Sequence, residues 1–529
     1  MAKFNIFRAR PAGTSPVATA AKPSGRTYEG ADGYARDAKS ELFLLAVSNM
    51  GGEDTFYESG NSRDARFAQL VHTTALADPE WTARLLKWLR DGANMRTASL
   101  VGAAEFVLAR LVESSDAGVT NRAVIDSVLQ RADEPGELLA YWTGQNGRRV
   151  PKPVKRGIAD AVRRLYDERA VLKWDSDARG FRMADVLNLA HPSPAASWQG
   201  ALFQHLLDRR RSADAAVPSE LRVIAARREL MAWPLAERRA LFTRPDAADV
   251  LRRAGMTWES VAGWLQGPLT REVWEALAPS MGYMAQLRNL RNFDEAGMSD
   301  EVAAAVAARL ADPGQVARSR QFPFRFLSAY EAAPSLRWGH ALDQALQASL
   351  STLPALPGRS LVLIDSSGSM TSVTLSARSK VTPAKAAAVF GVALGAKGEQ
   401  VDVHGFATGV FRHEVPRGAS VVREVDRFLK RIGEVGHGTD IVGSLRRTYR
   451  GQDRVFIISD MQTMGGGLGR TVSNTVPAHV PIYGFNLGGY EKGAYATGRG
   501  NRHEFGGLTD ATFRAIPLLE AGRNADWPF

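Results

Sequence analysis

No cysteine occurs among the 529 residues. Disulfide frameworks, thiolate metal sites and cysteine nucleophiles are therefore excluded. Long apolar runs are missing too: no stretch approaches the roughly 20 residues a membrane-spanning helix needs. The first segment, residues 1–29, contains basic residues but no continuous apolar core ahead of a cleavage site. It reads as a flexible arm, not a signal peptide. With no disulfides and no membrane partner expected, the cytoplasm is the expected location. Acidic residues are in deficit, 56 against 67 Lys and Arg, giving a net charge of +11. A basic surface favours polyanions, and nucleic acid is the commonest one. The plain alternative is an arginine-rich composition of genomic origin. The excess is spread over both parts of the chain, so any binding surface must come from local clustering.

Residues 30–355 read as helix after helix. DAKSELFLLAVSNM, RDARFAQLVHTTALAD, PEWTARLLKWLRDG, TASLVGAAEFVLARLVES and NRAVIDSVLQRAD place apolar residues at i, i+3, i+4 and i+7. Asp-Pro, Gly and Asn-Gly breaks separate them. Short amphipathic helices with short loops predict an all-α, HEAT-like helical repeat domain, an α-solenoid. The texture changes at STLPALPGR. Over residues 356–529, SLVLID, VDVHGF, RVFIIS and PIYGFN are continuous apolar runs, as parallel strands covered on both faces require. Helical patterns lie between them, so an α/β doubly wound domain is expected, with VDVHGFATGVFRHEV as an antiparallel edge hairpin.

Ligands of such sheets bind at the carboxyl ends of strands. Asp365 ends the first apolar run, and Ser367 and Ser369 follow at alternating positions. GHGTD places Thr439 before a helix, and IISD places Asp460 at the end of another strand. These oxygen ligands suit a divalent cation, Mg²⁺ first, with Mn²⁺ or Ca²⁺ as alternatives. The competing reading is a capped turn, with the serines satisfying a helix N-terminus. The set resembles the metal-ion-dependent adhesion site (MIDAS) of von Willebrand factor A domains. The resemblance implies an open coordination position for a protein partner's carboxylate.

From Arg148 to Arg182 there are eleven Lys or Arg against five acids. Arg148, Arg149, Lys152, Lys155, Arg156, Lys173, Arg179 and Arg182 are candidates to track phosphates, with Trp142 and Trp174 near for base stacking. The alternative is a solvated helix face with ordinary i,i+4 ion pairs. GQNGRRVPK is a loop candidate for the rim of a binding hole.

Several stretches of the helical part resemble the TROVE module of the Ro ribonucleoprotein family: GGEDTFY (51–57), FRMADVLNLAHPSP (181–194), MAQLRNLRNFDEAGM (284–298) and ARSRQFPFRFLSAY (317–330), in family order. The resemblance implies a monomeric ring closed by the adhesion-type domain. It further implies binding of Y-type noncoding RNA and of single-stranded ends of structured or misfolded RNA, in RNA quality control or stress response. A protein partner at the metal site, for example an exoribonuclease, is implied as well. His191 aligns with a family histidine implicated in Y RNA contact. Lys173 and Arg179 fall near the family's basic positions, although KWDSDARG brings two acids into that register. Arg288 and Asn289 either line the hole or cap helices. Phe56 and Tyr57 are expected to pack between helices. No enzymatic role is expected, as no general base accompanies Asp365 and Asp460. The rival reading is a metal-dependent protein-adhesion scaffold without RNA.

Overall fold

The computed structural model describes residues 12–48, 50–177, 180–467 and 469–529. Arg179 lies outside the described residues. Helices succeed one another from Ala38–Ser48 to Leu336–Ser349. Their starts are written locally. Ser59 accepts from the Ser62 amide, and Asp78 accepts from the Trp81 amide with Pro79 in the first turn. Such caps satisfy amides that have no partner inside the helix. The helix Pro79–Asp91 then buries Trp81, Leu85, Leu86 and Leu89 as one stripe against its neighbours. Among the described residues no helix is long and apolar enough to cross a membrane.

The strands are β1 (Gly25–Arg26), β2 (Asp32–Ala35), β3 (Arg359–Asp365), β4 (Gln400–Phe406), β5 (Val410–His413), β6 (Arg454–Ser459), β7 (Ile482–Asn486), β8 (Lys492–Gly493) and β9 (Arg502–Gly506). Six form one sheet in the order β5-β4-β3-β6-β7-β9. All neighbours are parallel except β5, which pairs antiparallel with β4 at the edge. Both faces are covered, as the apolar runs require. Val362 and Ile364 of β3 join a core continuous with the helical domain. Leu361 and Leu363 point to the other face, against Ile441 and Leu445.

The arm expected over residues 1–29 is packed, not flexible, from residue 12 onward. Ser15, Val17, Thr19 and Thr27 are buried. β1 pairs with β2, and β2 with β8, in a small antiparallel sheet on the α/β domain. The physical reason is backbone pairing across nearly the whole chain, which local composition does not reveal. The Thr497 amide donates to Thr19 Oγ1, and the Ala525 amide to the Thr14 carbonyl. Arg36 makes a fully buried ion pair with Glu504 at 2.6 Å and donates to the carbonyls of Tyr490 and Glu491.

The α/β domain touches both ends of the helical array. Helix Ala38–Ser48 packs against β9, while Pro323–Ala332 and Leu336–Ser349 pack against the helices Pro383–Lys397 and Val421–Leu429. The array also meets itself. Asn94, just past helix Pro79–Asp91, donates to the Arg320 carbonyl, and Arg320 lies 3.8 Å from Asp91. The path of the chain is therefore closed twice.

Candidate metal centre and candidate nucleic-acid interface

The five oxygen-bearing residues expected at the sheet edge are brought together and buried. Asp365, Ser367, Ser369, Thr439 and Asp460 are all at most 5% exposed. Strand β3 delivers Asp365, and its next turn folds back so that the Ser367 amide donates to Asp365 Oδ1 at 2.9 Å. Ser367 and Ser369 hydroxyls lie 3.3 Å apart, and Ser369 sits beside Asp460 on one small cavity. Strand β6 delivers Ser459, which donates to Asp365 Oδ2 at 2.5 Å, and then Asp460. The Thr439 loop is pinned from both sides. The Gly368 amide donates to the His437 carbonyl, and the Met464 amide to the Thr439 carbonyl.

Two features fit a cation there. Thr439 Oγ1 and Asp460 Oδ2 are buried without a hydrogen-bond partner. Buried polar atoms of this kind are costly unless something meets them. A cavity of about 20 Å³ reaches Ser369, Asp460, Thr55 and Tyr490, room for one water-sized species. Electrostatics agree. Burial pushes the Asp365 carboxyl above the ordinary range, against hydrogen bonds from Ser367 and Ser459 that pull it down. Asp460 is raised by burial and further by the neighbouring Asp365. Two carboxylates sharing one buried place resist ionising together, and a divalent cation reverses that preference. Among the described residues no three His, Cys, Asp or Glu side chains converge as a ligand group. A cation would rest on two aspartates, hydroxyls and water, the hard-oxygen donor set of Mg²⁺.

GGEDTFY does not pack as expected. Phe56 is 47% exposed, and Tyr57 turns toward the metal centre. Its ring stacks on Tyr28 at 4.7 Å and meets Tyr490 edge-on at 5.4 Å. Its hydroxyl donates to Glu29 Oε1 at 2.6 Å and faces Ser369. Three remote segments thus roof one site, and nothing in local periodicity signals that convergence.

The basic candidates divide. Arg148, Arg149, Lys152 and Arg156 are exposed and Lys155 is half-buried. They lie along the helix Lys152–Leu165 and the loop before it, opposite the buried stripe Val154, Ile158, Ala161 and Val162. The one acid of this helix, Asp160, is taken by Arg122 at 2.5 Å, and Arg164 pairs with Asp126. The i,i+4 pairing of the alternative reading is absent here among the described residues. Arg182 is different: it is spent on Asp175 at 3.1 Å and Asp177 at 3.6 Å. Its assignment to phosphate is corrected to a structural ion pair. Trp142 is also corrected. It is 2% exposed, with its indole donating to the Arg149 carbonyl, so it offers no stacking face. Trp174 keeps a partly open ring between Arg131 at 4.4 Å and Lys173 at 4.8 Å. His191 closes helix Met183–Ala190 in the left-handed conformation, φ 49°, with its side chain outward. Arg288 is exposed on helix Tyr283–Glu295, whereas Asn289 is buried and donates to the Ala285 carbonyl.

Sequence reading missed a second basic locus. A cavity of about 580 Å³ opens between helices, lined by Lys173, Trp258, Arg309, Gln315, Arg318 and Gln321. Lys173, Trp258 and Arg309 come from three separate helices, and Gln315, Arg318 and Gln321 from the segment 315–321, so no one window of sequence contains them. The cavity pairs cations with an aromatic face and amide groups, the components that hold a phosphate and a splayed base.

Comparison with known proteins follows the same lines. The TROVE domain family model matches residues 251–362. The RNA-binding protein RO60 of Deinococcus radiodurans is 25% identical over 383 residues, covering 67% of each chain. The crystal structure of the Deinococcus radiodurans RO (RSR) protein shares the fold, with a TM-score of 0.61 at 18% identity. That likeness extends over 90% of this chain and 99% of the other. The chain is thus similar to the TROVE domain over part of its helical half, is similar in sequence to a Ro protein over two thirds of its length, and shares the fold of a Ro protein over nine tenths of it.

Proposed function

We propose that the protein binds RNA without chemically altering it, holding a small noncoding RNA of the Y type and the single-stranded ends of structured or misfolded RNA. One observation carries this reading. Five cationic side chains between Arg148 and Arg156 line one helix and its leading loop without an acidic partner among the described residues. Such an array tracks a phosphate backbone, where each neutralised phosphate releases counterions. The similarity to an RNA-binding protein of Deinococcus radiodurans supports it. Filter binding of a structured RNA with a 3′ tail is the test. Binding no tighter than to an unrelated acidic protein, at low salt, sinks the reading.

The 580 Å³ cavity is assigned to the single-stranded end. Lys173→Glu combined with Arg318→Glu is expected to weaken tailed RNA by at least about tenfold at 0.1 M salt, by loss of phosphate contacts. Blunt RNA of the same stem should be bound as before. Equal losses for tailed and blunt RNA would remove the cavity from the mechanism.

The sheet-edge centre is assigned to Mg²⁺, held by Asp365, Ser367, Ser369, Thr439 and Asp460 as in an adhesion-type site. The ion would supply a Lewis-acidic anchor for a carboxylate; the protein's part is to aim the two aspartates and exclude water. Asp365→Asn should abolish Mn²⁺ binding measured by titration calorimetry while the RNA affinity stays unchanged. A variant that binds Mn²⁺ like the parent would refute the assignment.

A further inference from the structure

The tight turn Thr27–Ala31 sits directly on the loop that carries Asp460. Within it, the Thr27 amide donates to the Ala31 carbonyl at 2.9 Å and the Gly30 amide to the Thr27 carbonyl at 3.0 Å. Gly30 has φ 91°, a backbone shape that glycine adopts without strain. The turn is tied down by side chains and main chain alike. Thr27 Oγ1 donates to the Thr463 carbonyl at 2.8 Å, and the Tyr28 amide donates to Gln462 Oε1 at 3.0 Å. The Gln462 amide in turn donates to Asp460 Oδ1 at 3.0 Å. Tyr28 stacks on Tyr57, fixing the turn against the helical domain as well.

Glu29 stands at the tip of this turn. Its Oε1 accepts from the Tyr57 hydroxyl at 2.6 Å, and that same hydroxyl faces Ser369. A carboxylate from the N-terminal segment is therefore one tyrosine away from the ligand set. Its negative field reaches both Asp365 and Asp460. The buried Asp365 and Asp460 and the half-buried Glu29 near them repel one another unless a cation lies among them. They do not converge as a direct three-carboxylate ligand group. Mg²⁺ commonly keeps several waters, and a carboxylate can meet such a water.

We propose that Glu29 closes the open side of the metal centre from within the chain, through a metal-bound water, with Tyr57 holding it from behind. The ion then acts as a clasp. It fastens the N-terminal turn and the loop 51–57 of the helical domain to the α/β domain. An outside carboxylate reaches the metal only by displacing Glu29. The inference rests on the assignment of the sheet-edge centre as a metal site.

Hydrogen–deuterium exchange on the full chain, with Mn²⁺ as the probe and calorimetry alongside, tests it. Mn²⁺ is expected to slow exchange of residues 24–35 in the parent protein. In Glu29→Gln, which changes only a partly exposed turn side chain, that protection should vanish. Mn²⁺ affinity should fall about 10- to 100-fold, as for other losses behind a metal's direct ligands. Tyr57→Phe should reduce the protection in the same direction. If the parent binds Mn²⁺, Asp365→Asn does not, and Glu29→Gln matches the parent in affinity and protection, the clasp is overturned and the metal site stands. If the parent itself binds no Mn²⁺, both are overturned together.

Discussion

Alanine at Arg148, Arg149, Lys152, Lys155 and Arg156 together is expected to cut RNA affinity by roughly 3,000- to 30,000-fold at 0.1 M salt. The estimate follows from counterion release, at about 0.7 to 0.9 in the salt slope per lost phosphate contact. The variant's slope should accordingly be shallower by about 3.5 to 4.5, and the two proteins should converge in affinity toward 1 M salt. Fold stability should hardly move. Four of the five side chains are exposed, and the buried stripe of Val154, Ile158, Ala161 and Val162 is untouched; exposed substitutions of this kind usually stay within about 0.5 kcal/mol. A salt series by filter binding, with thermal unfolding as control, decides the matter. An unchanged slope would move the RNA elsewhere on the molecule. The single variant Arg182→Ala serves as internal contrast. Its guanidinium is committed to Asp175 and Asp177, so it should affect stability more than the salt slope.

Arg36→Ala is expected to produce the largest loss of stability of any single substitution considered, about 3–5 kcal/mol, the range for removing one partner of a buried ion pair. Both side chains are essentially inaccessible, at 0% and 1% exposure. Glu504 would be left with Asn486 as its remaining neutral donor, and the carbonyls of Tyr490 and Glu491 would lose theirs. Urea unfolding, read as a shift in midpoint, checks this. A double change, Arg36→Met with Glu504→Leu, should recover much of the loss, because a buried ion pair is often replaceable by apolar groups of similar size. A shift under about 1 kcal/mol for Arg36→Ala would show that the pair is solvated in solution.

The helices and the sheet were legible because their signals are local. Pro79 after Asp78, the stripe from Trp81 to Leu89, and the run SLVLID ending in Asp365 each fit in one window. The clustering of the five oxygen-bearing residues at the sheet edge was legible for the same reason: each sits at a strand end or before a helix. What resisted reading was assembled from distant segments. Glu29, Tyr57, Ser369 and Tyr490 meet only after folding, as do Lys173, Trp258 and Arg318. Charge counting also misled at Arg182, because sequence gives a cation's presence but not its partner. Trp142 was misjudged alike: aromatic residues near basic ones are as readily core as stacking surface, and this one is core.

The small sheet of β1, β2 and β8 has a consequence in time as well as in space. Thr14 is hydrogen-bonded to Asn524, 510 positions away, and Arg36 to Glu504, 468 positions away. The segment around Thr14 to Arg36 therefore waits for partners made some hundreds of residues later, and the Arg36 cation stays unmatched until β9 is made. Contacts of such sequence separation form slowly, since chain closure must precede any gain. Assembly of the α/β domain's outer layer thus becomes a late step, and a chain cut short before Asn524 loses a partner of the Thr14 segment as well as its own residues.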